Sequence, residues 1–370
     1  MVTMTLASQQ FGPRLLRNFM KDRPSQLCLG VLMGTFVYCL FIIRGPRTEP
    51  QGKDEDFIPQ ISTIVAMALA IASLFFFIHF IQHVLIMIQE EQVIVDAYRG
   101  LQDTIRNIFP SVDAGEQERL SQPSDGEGWA VEAGKDGYIQ AIDYEKLTKV
   151  ARQYDAVLWI VCRSGWFITS RRTIARVIQG GEEMDKAFIQ AIQRCIYVGS
   201  NRTPEQDFEY GIRQLVEVCL RALSPGINDP FTAKDCLDYL GAALESVFAR
   251  PLPASILRDG DDDIRVIKSI TEYEGLVRAA IDQVRQASRT DCAVSSHLLD
   301  TLENVTKTAR LEEQQQVLLD QATMIHHDSV PTMHNDNDRN AITSRYQNVV
   351  NACHLIPSAK KSMQSTANVN

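Results

Sequence analysis

Nothing in the 370 residues matches a glycine-rich phosphate loop, a dinucleotide-binding G-x-G-x-x-G or the G-x-S-x-G of a serine nucleophile, and no internal repeat is present. These absences remove the usual signatures of a nucleotide-dependent enzyme, a serine hydrolase or a solenoid. Positive charge is also in deficit. Against 46 Asp and Glu stand 37 Lys and Arg, a formal net charge of -9, which argues against nucleic acid as a partner. The eight cysteines, Cys28, Cys39, Cys162, Cys195, Cys219, Cys236, Cys292 and Cys353, include no C-x-x-C pair. They suit small buried hydrophobes in a reducing compartment and argue against a zinc or disulfide framework.

The most informative shortage is local. No Lys, Arg, Asp or Glu occurs from Phe57 to Gln89, and Leu27 to Ile43 is a second charge-free apolar run. Residues 1–92 balance Arg14, Arg17, Lys21, Arg23, Arg44, Arg47 and Lys53 against Asp22, Glu49, Asp54, Glu55, Asp56, Glu90 and Glu91, so the whole net charge lies after them. A spanning helix needs about 20 apolar residues, within roughly 17–25. The pattern predicts a basic interfacial segment at 1–25 and two transmembrane helices, at about 27–43 and 61–81, within residues 26–89. A signal peptide fits poorly, because a long segment precedes the first run and no small-residue cleavage site follows it before Arg44.

Arg14, Arg17, Lys21 and Arg23 crowd the approach to the first helix, whereas the connection mixes Arg44, Arg47 and Lys53 with acidic residues. The positive-inside rule then predicts a multi-pass protein of the bacterial inner membrane with N- and C-termini cytoplasmic and Pro46 to Asp56 outside. The lipid bilayer is the expected partner. His79, Gln82 and His83 fall at the inner interface on one helical face. A polar helix end among the headgroups is the preferred reading of His79 and His83, and a proton- or metal-binding pair is the sharper one.

Ile88, Val95, Tyr98, Leu101, Ile105 and Ile108 recur at helical spacing up to Pro110, predicting a stalk helix over 84–109. Its seam has two expected fates, a partner or second subunit, or the chain's own domain. Residues 110–136 read as a linker rich in Gly, Ser, Glu and Asp. Residues 137–180 read as a small β unit: Trp129 to Glu132 and Tyr138 to Ile142 suit a hairpin, Asp143 caps a short helix, and Ala156 to Cys162 is a buried strand before a plain hairpin turn at Arg163-Ser164-Gly165. Residues 181–325 read as a helical cytoplasmic domain, and 326–370 as a polar tail whose His326, His327 and His334 sit in a solvated loop. The expected fold class is therefore an α-helical transmembrane hairpin plus a predominantly α-helical α+β cytoplasmic domain.

Within the helical part, Thr203-Pro204-Glu205-Gln206 reads as a capping box with proline at the first helical position. The apolar positions from Phe208 to Leu223 follow it. Ser224-Pro225-Gly226-Ile227-Asn228-Asp229-Pro230 turns the chain into a second helix. Arg202, Asp207, Glu209, Asn228 and Asp229 flank these two helix starts. Capping explains their residue types, since carboxylates and Asn accept exposed backbone N–H groups, and an anion or ligand site is the competing reading.

Phe11 to Phe19, Gly34 to Leu40, Phe77-Ile78-His79, Gly137 to Asp143 and above all the Ser224 to Pro230 turn followed by Phe231-Thr232-Ala233 carry a family resemblance. Over about Thr5 to Ile325 the chain resembles a family of predicted bacterial inner-membrane proteins with a domain of unknown function, domain of unknown function 2254. The resemblance implies membrane placement, implies a further pair of membrane helices upstream of this stretch, and supplies no reaction or ligand. No cofactor or metal site is expected. Two function classes follow. The first is a non-enzymatic channel-like or sensor assembly, for which a homo-oligomer is the expected form since two spans alone enclose no pore. The second is a membrane-anchored enzyme or ligand-binding domain with its site near residues 202–230.

Overall fold

The computed structural model describes residues 23–44, 60–87, 90–115, 117–120, 123, 127–180 and 185–353. The chain divides into two compact units between Val93 and Ile94. Most of the basic segment at 1–25, all of the connection from 45 to 59, and Ile88-Gln89, where the second span was expected to run into the stalk, lie outside the described residues.

The first unit holds α1 (Arg23–Arg44) and α2 (Gln60–Met87), which pack against each other. Both are long and apolar enough to cross a membrane. What separates them from soluble core helices is exposure: Phe41 is 73%, Ile61 80% and Phe75 69% exposed. The buried positions include two hydroxyls, and Ser73 Oγ donates to Thr35 Oγ1 at 2.8 Å. Apolar side chains outward and polar ones paired inward is the inverse of a water-facing helix pair.

The second unit begins within α3 (Glu90–Ile108). The seam predicted for a stalk is buried in the chain's own domain. Leu101 and Ile105 join Ile94 and Phe109 in one core with α6 (Phe208–Ala222), and the Phe109 and Phe208 rings meet edge-on at 5.5 Å. Contact is close because Gly211 of α6 has no side chain. A Cβ there would stand 2.9 Å from Leu101 Cδ1. Gln102 also donates to Ser246 Oγ at 3.1 Å on α7 (Pro230–Phe248).

The linker region ends in a strand, β1 (Trp129–Glu132), and β2 (Gly137–Ile142) follows. They do not form the expected hairpin. Gly134 and Gly137, both at positive φ, carry the chain from one sheet to another. After α4 (Tyr144–Gln153) come β3 (Val157–Ile160), β4 (Phe167–Ile168), β5 (Thr173–Gln179), α5 (Lys186–Arg194) and β6 (Ile196–Gly199). The turn at Arg163 to Gly165 likewise changes sheets, so β3 and β4 are not paired. β4-β2-β6 form one antiparallel sheet. The larger sheet runs β1-β5-β3-β8-β7 and takes two strands, β7 (Ile256–Arg258) and β8 (Ile264–Lys268), from a stretch expected to be helical. β8 lies parallel to β3, with Ile160 opposite Lys268.

Helices α6 and α7 are joined by α8 (Tyr273–Ser288), α9 (Cys292–Thr308), α10 (Glu312–Ser329) and α11 (Asp336–Cys353) around the same core as α3. The tail reading of 326–370 is corrected by α11, which buries Ile342, Val349 and Cys353. His326 and His327 close the last turn of α10 rather than occupying a loop, and the His326 ring stacks on Tyr346 at 4.6 Å. The eight cysteines form no disulfide with one another, and six of them are buried.

Candidate functional site

The sequence candidates fall in three separate places. His79 lies on α2, and His83 is on the same helix with its side chain outside the described residues. Arg202 and Asp207 stand before α6. Asn228 and Asp229 stand after it, and the 15 residues of α6 put roughly 22 Å between the two groups.

At the far end, Asn228 adopts φ +50, a left-handed conformation that Asn tolerates in turns. Asp229 then caps α7, accepting from Phe231 N at 3.0 Å, Thr232 N at 3.2 Å and Thr232 Oγ1 at 2.6 Å. The Thr232 hydroxyl, helped by those backbone donors, holds the Asp229 carboxyl below its usual range.

At the near end the expected capping box does not form. α6 starts at Phe208, and its cap is Asp207, which accepts from Tyr210 N at 3.1 Å. Thr203 and Gln206 are engaged elsewhere. Thr203 Oγ1 donates to Gln140 O, while Gln206 brackets Ile142, accepting its N–H at 2.9 Å and donating to its carbonyl at 3.2 Å. The segment before α6 is thereby fastened to β2. Arg202 donates to both oxygens of Asp207, from Nε at 2.7 Å and Nη2 at 2.8 Å, and its Nη2 is 4.0 Å from Glu209.

Beside this pair a cavity of about 260 Å³ opens among α3, the end of β3, the end of β8 and the first turn of α6. Parallel pairing of β3 with β8 sends Arg163 and Lys268 past the same end of the larger sheet. The Arg163 guanidinium lies 4.8 Å from the Trp166 ring centroid and donates to Thr271 Oγ1. Lys268 Nζ lies 5.2 Å from the ring centroid of Tyr144, and burial lowers its pKa. Burial raises the Tyr144 phenol, keeping it a neutral wall group, and pushes the neighbouring Cys162 thiol up to about 12. Among the described residues neither Arg163 nor Lys268 has an ion-pair partner, and Lys268 Nζ has no hydrogen bond.

Sequence reading did not find this cavity. Its Asp207 was a candidate, but Arg163 was read as part of a turn and Lys268 lay in a stretch taken as helical. The available signal was the alternation in Ile264-Arg265-Val266-Ile267-Lys268 after the acidic Asp259 to Asp263 turn.

A family model described as predicted membrane protein (DUF2254) matches residues 1–304. The chain belongs to this family. Two curated relatives, uncharacterized proteins of Mycobacterium bovis and Mycobacterium tuberculosis, are each 28% identical over 312 residues, covering 83% of this chain and 59% of each relative. The chain thus spans about three fifths of the length of the curated relatives it matches. No solved structure matches it. Family membership makes this a predicted membrane protein of unknown function, and α1 and α2 are its two possible spans.

Proposed function

We propose that the protein is a non-enzymatic channel-like or sensor assembly of the bacterial inner membrane, in which a membrane helix pair is coupled to a cytoplasmic domain. In this reading α1 and α2 cross the bilayer as a hairpin, the connection at 45–59 faces outward, and the domain from Ile94 onward lies in the cytoplasm. The observation that carries it is the outward apolar surface of α1 and α2, with Phe41, Ile61 and Phe75 exposed while Thr35 and Ser73 pair between the helices. Such a surface is stable in hydrocarbon and costly in water. Orientation is supported by the basic residues ahead of α1. Oligomers suit the channel-like form, since α1 and α2 alone cannot enclose a path for solute.

Cysteine accessibility in spheroplasts tests the topology. Gln51→Cys is expected to react with an impermeant maleimide above the level of the parent chain, and Glu312→Cys only after permeabilisation. The opposite pattern reverses the orientation and sinks the reading. A monomeric mass in mild detergent sinks the assembly part. The alternative, a membrane-anchored domain that binds a ligand, is favoured by a different observation, the cavity beside Arg163 and Lys268.

A further inference from the structure

We propose that the cavity at the shared end of β3 and β8 binds a small phosphate monoester, with Arg163 and Lys268 as its cationic contacts. The assignment draws on the ligand-binding alternative and needs only the fold from Ile94 onward, so it and the membrane topology can fail separately.

Three features of the cavity point to this chemistry. The first is charge. In a chain of net charge -9, two cations face one cavity without an acidic partner among the described residues, while the two carboxylates that line the cavity are paired with a third cation, Arg202. Asp207 receives two hydrogen bonds from Arg202, and Glu209 lies 4.0 Å from the same guanidinium. A half-buried ammonium without a hydrogen-bond partner is a costly arrangement that a bound anion relieves. A phosphate monoester carries about -1.5 to -2 at neutral pH, which matches two cations better than a monocarboxylate does.

The second is geometry. Arg163 is fixed on both sides, by the Trp166 ring and by Thr271 Oγ1, which leaves the rest of its planar fork free for an oxyanion. Lys268 supplies a point charge, and Thr271, whose Oγ1 accepts from Arg163, keeps its hydroxyl proton for a neighbour in the cavity lining.

The third is size. About 260 Å³ lies below the usual range of roughly 300–1,000 Å³ for drug-sized ligands, so the part of the ligand held inside the cavity is short. Phe208 and Leu276 offer that part an apolar wall.

Calorimetric titration of the full chain in detergent, with inorganic phosphate and with glycerol 3-phosphate at matched ionic strength, tests the site. Saturable binding of the ester is expected, with neutral glycerol silent. Lys268→Gln and Arg163→Gln should each weaken binding about 10- to 100-fold, the range for losing one charge-assisted contact, and Lys268→Arg should retain most of it. Lys268→Arg also separates loss of charge from loss of fold. Should Lys268→Gln not fold, a Lys268→Arg chain that folds and binds upholds the site, and one that folds and does not bind overturns it. Absence of saturable binding by both probes, equal binding of glycerol, or parent-like binding by both glutamine variants also overturns it. A competition arm with short-chain phosphatidate identifies the source. Displacement of the ester assigns the phosphate site to a lipid headgroup, and no displacement assigns it to a soluble ester.

Discussion

The Arg202 guanidinium closes a two-point hydrogen bond on Asp207, with 9% and 2% of their side chains exposed. The pair is packed so closely that a Cβ on Gly165, at φ +87, would collide with Asp207 Oδ2. Asp207 is also the cap of α6. One carboxylate therefore joins the turn after β3, the segment before α6 and the helix itself.

Breaking that junction from one side should be worse than removing it. Asp207→Ala strands a buried guanidinium, with an expected loss of about 3–5 kcal/mol, toward the lower end because Glu209 is a second acid within reach. A double replacement, Arg202→Met with Asp207→Leu, should lose less than the single one, since no unpaired charge stays buried. Urea unfolding of the full chain in detergent reads both. A single-variant loss under about 1 kcal/mol would show that water reaches the pair, as at exposed ion pairs.

Gly211→Ala distinguishes a packed α3 from a free stalk by the sign of its effect. On a helix with open space beside it, Gly to Ala stabilises by roughly 0.5–1 kcal/mol. Here the new methyl group would meet Leu101 at 2.9 Å from Cδ1 and 3.0 Å from Cβ, so a loss of about 1–3 kcal/mol is expected from overpacking. A higher melting temperature for the variant would contradict burial of the α3 seam against α6.

How far the sequence discloses this molecule depends on whether the signal is local. The two apolar runs stand out because charge-free composition over about 20 residues is a local property of the chain, and Asp143 and Asp229 are recognisable as caps because capping acts within three residues. The Thr203 to Gln206 motif fails for a nonlocal reason. Its Thr and Gln satisfy every local rule, but β2, more than 60 residues earlier, takes both side chains through Gln140 O and the Ile142 backbone. Lys268 stays hidden for the same reason. Strand β8 exists because β3 lies alongside it, a partner about 108 residues away that periodicity in a short window does not reveal. The cavity is assembled from such nonlocal pieces, so its chemistry was not visible along the chain.

The cap of α7 should carry a measurable pH dependence. Asp229 is held below its usual value of 3.8, first by the Thr232 hydroxyl and then by two backbone donors. A carboxyl depressed in the folded state contributes stability that is fully present above its unfolded value and is lost as pH falls through the folded one. Asp229→Asn, which keeps an acceptor for the backbone, should match the parent within a few tenths of a kcal/mol at neutral pH and lack the part of the acid-induced decline below about pH 4 that belongs to this group. Asp229→Ala should lose about 1 kcal/mol at neutral pH. Melting curves from pH 3 to pH 7 separate the three chains, and identical acid limbs for parent and Asn variant would remove Asp229 from the acid response.

The Thr35–Ser73 bond offers a test inside the apolar unit, where the environment sets the magnitude. Hydrogen bonds between membrane helices average about 0.6 kcal/mol in double-mutant cycles and reach about 1.7, because the separated helices also find partners in lipid. A cycle of Thr35→Val and Ser73→Ala, read as the stability of the α1–α2 pair in bicelles, should therefore give a coupling energy of about 0.6–1.7 kcal/mol. Coupling depends on both hydroxyls facing each other at 2.8 Å. A value indistinguishable from zero would mean that the two helices do not hold this register in the bilayer. If α1 and α2 span the bilayer as proposed, the exposed Phe41 and Phe75 should tolerate Phe→Leu with little change, since either side chain suits a lipid environment.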